Sequence, residues 1–150
     1  YEIPLRLVGS EMCIRDRANA SSFTGGWFRT GDQGYFDEEG YLKITGRLKE
    51  IINRGGEKIS PLEVDNVLME HPAVLQVVTF AVVDKLLGEE IGAAIVLADG
   101  ATLSEAELKA YEKQRMAKFK VPRHVRFVDE IPKGATGKLQ RIGLAEKLDL

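Results

Sequence analysis

Cysteine is almost absent from this 150-residue chain, in which Cys13 stands alone. A single thiol excludes an internal disulfide framework and fits a reducing compartment. Long apolar runs are missing too, since none approaches the roughly 20 residues of a bilayer-spanning helix. The expected protein is therefore neither secreted nor embedded in a membrane. An excess of one charge is also lacking, because 21 Lys and Arg face 23 Asp and Glu for a formal net charge of -2. That balance argues against a general binder of nucleic acid or anionic membrane, although a local basic patch can sit on a nearly neutral surface. Histidine is scarce, and His71 and His124 lie near prolines without partners at metal-ligand spacing, so no metal site is expected. No repeat or low-complexity tract appears. What remains, 44% hydrophobic and 29% charged, suits one ordinary globular domain, or one small domain with a remnant of another.

Against that plain background the run from Gly46 to Pro61, GRLKEIINRGGEKISP, stands out. A fold that had only to be stable would not set Arg47, Lys49, Arg54 and Lys58 beside a Gly-Gly pair, because like charges repel and glycine weakens regular structure. An anionic ligand, and a backbone that must bend or approach it closely, explain both. At the other extreme, Leu7 to Arg17 shows neither helical nor strand periodicity. Back-translated, it reads through a common transposon-derived sequencing adapter, so residues 1–17 are expected to be a non-native leader, the alternative being a genuine N-terminal extension.

From Ala18 onward the pattern is regular. Tyr35-Phe36 and Tyr41 to Thr45 flank an acidic turn closed by Gly40 and predict a β-hairpin. Ile51-Ile52 and Lys58-Ile59 flank Gly55-Gly56 and predict a smaller hairpin with a glycine tip. Ser60-Pro61-Leu62-Glu63 has the form of a capping box opening a helix to about Glu70, with Val64, Val67 and Leu68 on its apolar face and His71-Pro72 as its stop. Val74 to Val83 and Ile91 to Leu97 read as buried strands of one sheet. Ser104 and Glu107 cap a second helix with Leu108, Tyr111 and the stem of Arg115 inward; Val125 to Val128 is a third strand, and Ile142 to Leu148 a terminal helix. The expected fold class is α+β: a small three-stranded sheet with flanking helices and a short β-hairpin, preceded by a β-hairpin belonging to something else.

Three polar, glycine-bearing clusters are candidates for chemistry: Thr30-Gly31-Asp32, the Gly46 to Lys58 run, and PKGATGKLQR from Pro132 to Arg141. The last is not a P-loop, which needs glycine at Pro132 and a hydroxyl at Leu139. A lysine beside glycine on a loop still brings a compact positive charge to a phosphate or carboxylate, which singles out Lys138.

GWFRTGDQG, GRLKEIINRGGEKISP and PKGATGKLQR, in this order and at these separations, resemble the last three motif blocks of the adenylate-forming (AMP-binding) superfamily. That superfamily includes acyl-CoA synthetases, luciferases and peptide-synthetase adenylation domains. The similarity covers about Ala18 to Leu150, and RGGEKISP, FKVP and ATGKLQR are most like the oxalate-CoA ligase type. The resemblance implies that residues 18–48 end a large N-terminal AMP-binding domain and that 49–150 form the C-terminal domain. It further implies an acid-thiol ligase using ATP with Mg2+ and coenzyme A, acting on oxalate or another short acid, with the missing N-terminal domain in cis. Under it, Asp32 and Arg47 bind the nucleotide, Lys49 is the hinge and Lys138 bridges substrate carboxylate and α-phosphate. Arg54, Gly55 and Gly56 meet coenzyme A, and Lys58 is a weaker candidate for the acyl-adenylate. Asn53 departs from the pattern, many relatives having lysine there, so that lysine's role is not carried over.

Two other readings stay open at this point. One is an adenylation domain that serves a carrier protein. The other is an RNA-binding α+β module using Arg54, Lys58, Lys118, Lys120 and Arg123, against which stand the slightly acidic total and the lack of interleaved aromatics. The fragment alone, without acid pocket or ATP phosphate loop, is expected to be inactive. The terminus KLDL differs from the S-K-L peroxisomal address, which leaves cytoplasm as the expected location.

Overall fold

Alternating branched residues and glycine-bearing turns build the strands that dominate the secondary structure of the described residues. The structure, a computed structural model, describes residues 20–134 and 137–150; the expected leader, residues 1–17, lies outside them. Two compact units are distinguished, Tyr1–Asp32 and Gln33–Leu150. In the described part of the first, β1 (Phe23–Thr24) and β2 (Trp27–Phe28) form an antiparallel hairpin about Gly25-Gly26, with the Phe23 and Phe28 rings 5.3 Å apart.

The second unit opens with the expected hairpin of β3 (Asp32–Phe36, its first residue belonging to the first unit) and β4 (Leu42–Arg47). Its turn is built by Asp37, whose Oδ1 accepts from the amides of Glu39 at 3.1 Å and Tyr41 at 2.9 Å. A single 3-10 turn, Leu48–Glu50, leads into β5 (Ile52–Arg54) and β6 (Glu57–Ile59). Helix α1 (Pro61–Met69) follows, then β7 (Val74–Asp84), β8 (Gly88–Leu97), α2 (Glu105–Lys113), β9 (His124–Phe127) and the short α3 (Leu144–Lys147).

β8 is the centre of the sheet. One edge pairs antiparallel with β7 along its length, and the other takes β9 in parallel over Gly92–Ile95. A parallel neighbour needs a crossover, and α2 lies in that connection. The three expected strands are present, and the β5–β6 hairpin extends them into a five-stranded sheet by pairing Arg54 with Gly88. Alternation along β7 and β8 then makes two cores. Val77, Ile91, Ala93 and Ile95 pack with Ile52, Ile59, Val64, Leu68 and Leu108, whereas Val78, Phe80, Val82 and Ala94 pack with Ile131 and Leu144. Gly92 lies against the Phe80 ring so closely that an added Cβ would sit 2.7 Å from it, which explains a glycine inside a strand.

Two local expectations are corrected. The capping box at α2 forms, with the Glu107 amide donating to Ser104 Oγ at 3.2 Å and the Ser104 amide to Glu107 Oε2 at 2.9 Å. At α1 it does not: the Ser60 hydroxyl donates instead to the Thr45 carbonyl at 2.6 Å, and Glu63 pairs with Lys120. A tertiary acceptor has outcompeted the local one. The terminal helix is shorter than Ile142 to Leu148, because Gly143 takes a left-handed φ of 75° immediately before Leu144 and leaves Ile142 exposed.

Candidate functional site

The Leu48–Glu50 turn carries the hinge candidate, Lys49. Arg47 before it (φ -111°, ψ 134°) and Ile51 after it (φ -60°, ψ 124°) are both extended, and Lys49, exposed, stands at the middle of the single 3-10 turn between them. Arg47 ends β4 and is exposed, while Asp32 ends the first unit, half-buried, its amide donating to Thr30 Oγ1 at 3.1 Å. Beyond the turn lies a cleft of about 370 Å³ lined by Gln33, Leu48, Ile51, Asn53, Lys58, Ser60 and Glu63. Lys58 on β6 stands opposite Asn53 on β5, so the weaker acyl-adenylate candidate and the residue that departs from the superfamily pattern share that cleft.

Gly55 and Gly56 form the β5–β6 turn with φ of 58° and 95°, a region in which any other residue is strained. The Gly55 amide donates to the Leu87 carbonyl at 2.8 Å, while a Cβ on Gly56 would meet nothing within 4 Å. The turn is thus held on one side and open on the other. Arg54, half-buried, donates through Nε to the fully buried Glu90 carboxylate, with Arg123 Nη1 3.7 Å from the other Glu90 oxygen. Burial pushes the Glu90 carboxyl up, but the hydrogen bond from Arg54, the Ile91 amide and the charges of Arg54 and Arg123 outweigh it and hold Glu90 ionised below the usual range. The same hydrogen bond raises the Arg54 guanidinium. Arg54, expected from the resemblance to meet coenzyme A, has its guanidinium paired with this buried carboxylate.

Lys138 is exposed on a loop closed by the Lys133–Leu139 bridge and by the Gly134 amide donating to the Lys138 carbonyl at 2.9 Å. Three residues on, Arg141 turns back into the body, with Nε 3.0 Å from Glu50 Oε2, Nη1 donating to the Thr79 carbonyl at 2.9 Å and Nη2 2.7 Å from Asp65 Oδ2. Asp65 is 7% exposed, and its Oδ1 accepts from the Thr79 amide at 2.7 Å. Burial raises the Asp65 carboxyl despite the opposing charge of Arg141.

A family model, that of the AMP-binding enzyme C-terminal domain, matches residues 63–138. The chain belongs to this family. Oxalate–CoA ligase of Arabidopsis thaliana is 51% identical over 142 residues, covering 87% of this chain and 28% of that protein. Oxalate–CoA ligase of Saccharomyces cerevisiae is 52% identical over 132 residues, covering 87% of this chain and 24% of that protein. Among solved structures, the o-succinylbenzoate CoA synthetase of Bacillus subtilis in complex with its acyl-adenylate intermediate superposes with a TM-score of 0.77 at 42% identity, over 85% of this chain and 26% of that one. The chain therefore spans about a quarter of the length of the proteins it matches. Adenylate-forming membership, read from three motif blocks, and the α+β class both stand.

Glu90, Asp65 and Arg141 are the residues that sequence reasoning left without a role. Glu90 ends the polar stretch before the apolar run that starts at Ile91, and Asp65 stands between Val64 and Asn66 in α1, so neither carboxylate is conspicuous and its partner lies too far along the chain to be named. Arg141 lies in the same motif as Lys138, and nothing local to it points to Glu50, Asp65 or Thr79 as partners. Among the described residues, no group of His, Cys, Asp and Glu could hold a metal ion, and no helix is long and apolar enough to cross a membrane.

Proposed function

We propose that this chain is the C-terminal part of an ATP-dependent carboxylic acid–CoA ligase. In the first half-reaction a substrate carboxylate oxygen attacks the α-phosphorus of ATP, forming the acyl-adenylate and expelling pyrophosphate. In the second, the thiol of coenzyme A attacks the acyl carbon, AMP leaves with the bonding electrons and the thiol proton passes to solvent. Mg2+ enters with the nucleotide as part of the substrate. The observation that carries the reading is the separate anchoring of two candidate surfaces on one body. Lys138 is exposed on a loop tied to Glu50, next to the single turn that holds Lys49, and the open Gly55-Gly56 turn is tied to Leu87 and Glu90.

In this reading Lys138 supplies positive charge to the carboxylate and α-phosphate as they share negative charge, the kind of stabilisation that matters most where water is excluded. Asp32 holds the ribose hydroxyls through its carboxylate oxygens and Arg47 adds a donor, both from an N-terminal AMP-binding domain ending near residue 48. Rotation at Lys49 withdraws Lys138 and presents the glycine turn, whose backbone approaches the pantetheine arm. Arg54 acts there from its pair with Glu90, and Lys58 faces the acyl-adenylate from the cleft it shares with Asn53. Oxalate is the acid in the names of both curated relatives above and is the first substrate to try.

The RNA-binding alternative is weakened by the acids that face its cations: Arg54 pairs with Glu90, Lys120 with Glu63, and Arg123 lies within 4.0 Å of Asp84. The decisive experiment uses the full-length protein that carries this chain. Lys138→Ala should lose oxalate-dependent pyrophosphate exchange by a factor of about a hundred or more, yet still convert supplied oxalyl-adenylate to the thioester. Equal loss of both halves would contradict the role of Lys138, and acceptance of a carrier-protein phosphopantetheine in place of free coenzyme A would move the assignment to the carrier-serving class.

A further inference from the structure

We propose that Arg141 is a positioning residue, the strut that fixes the Lys138 loop to the Lys49 turn through Glu50. The inference rests on the ligase reading above and gives a role to the residue that makes the tie between the Lys138 loop and Glu50. Its basis is the reach of one guanidinium across three elements: Glu50 at the end of the 3-10 turn, Asp65 in α1 and the Thr79 carbonyl in β7, at 3.0, 2.7 and 2.9 Å. The Arg141 side chain is only 18% exposed, so these bonds face little competition from water. A planar guanidinium directs its donors along fixed lines, and an ammonium cannot meet three acceptors set in those directions.

Position gives the strut its consequence. Only Leu139 and Gln140 separate Arg141 from Lys138, and Leu139 is itself held by its bridge to Lys133. The base of the loop is therefore pinned to the residue that follows Lys49, and a rotation at Lys49 is transmitted to Lys138 with little slack. The Gly55-Gly56 turn is secured by different groups, Arg54 with Glu90 and the Gly55 amide with Leu87, none of which belongs to the Arg141 network. Loosening the strut should thus blur the aim of Lys138 and leave the glycine turn as it was.

Replacing Arg141 outright strands the buried Asp65 carboxylate and puts folding at risk. Glu50→Ala is cleaner, because it cuts the tie to the hinge and keeps the bonds to Asp65 and Thr79. In the full-length protein, Glu50→Ala should lower kcat for pyrophosphate exchange about tenfold to a hundredfold, the scale of a misplacement near 1 Å. KM for the acid and ATP, and thioester formation from supplied acyl-adenylate, should stay within about twofold, since neither uses the aim of Lys138. Arg141→Lys should show the same split, and the double variant should be no worse than Arg141→Lys alone, as expected of two residues in one bond. Equal loss in both half-reactions, no loss in either, or simple additivity overturns the proposal. A parent protein with neither half-reaction would instead overturn the ligase reading. In that event hydrogen exchange decides about Arg141: the Gly134 and Gly137 amides should exchange faster in Glu50→Ala while β7 and β8 amides do not, and unchanged loop exchange refutes the strut.

Discussion

Glu112 shows how one residue can set a pH response. It lies on α2 with 0% exposure and neither carboxylate oxygen meets a hydrogen-bond partner, so burial raises its pKa to about 7, with Lys109 opposing only in part. The folded state therefore favours the protonated acid, while the unfolded chain titrates near the ordinary 4.5. The contribution is complete below 4.5 and is lost as pH rises through 7. Glu112→Gln should consequently be more stable than the parent at pH 8, by at most about 3 kcal/mol, with the advantage shrinking towards pH 5. Thermal unfolding of the two proteins at both pH values checks this, and a pH-independent difference would refute the assignment. The sequence announces the buried carboxylate only in part: in EAELKAYEK Glu112 falls four residues after the inward Leu108, but Glu105 lies on the same side one heptad earlier and is exposed, so packing selects between the two.

Among the elements, the 3-10 turn of Leu48–Glu50 carries the strongest expectation. Proline at Lys49 would push Leu48 out of the helical region it occupies there. We expect Lys49→Pro to spare adenylation in the full-length protein and stall thioesterification, measured as accumulation of acyl-adenylate after coenzyme A is added. Thioester formation at the parent rate would remove the turn from the mechanism. Elements whose signals are local were legible beforehand, namely the Gly55-Gly56 hairpin, the two long apolar strands and the Ser104 cap. The Ser60 cap was misread because its hydroxyl had a choice of acceptor, and the Thr45 carbonyl that won is fifteen residues away. The terminal helix was over-extended because periodicity from Ile142 gives no warning that Gly143 will adopt a left-handed conformation.

At the scale of the molecule, the chain covers about a quarter of its relatives, and catalysis in the proposed ligase needs groups from both domains. The purified 150-residue chain should therefore make no thioester from acid, ATP and coenzyme A, by direct assay of the product. Turnover by the chain alone would contradict that division of labour. By itself the sequence determined the superfamily and the α+β class, and it put forward Lys49, Lys138 and the glycine pair as candidates, because motifs, caps and turns are short-range patterns carried by neighbouring residues. Only the tertiary structure decided that Arg54 answers to Glu90, that the small hairpin joins the main sheet and that Arg141 ties Glu50 to Asp65 and Thr79. Those partners lie 36, 91 and 62 positions apart for Arg54–Glu90, Arg141–Glu50 and Arg141–Thr79, and charges so distant in sequence meet only when the sheet and its helices bring them into contact.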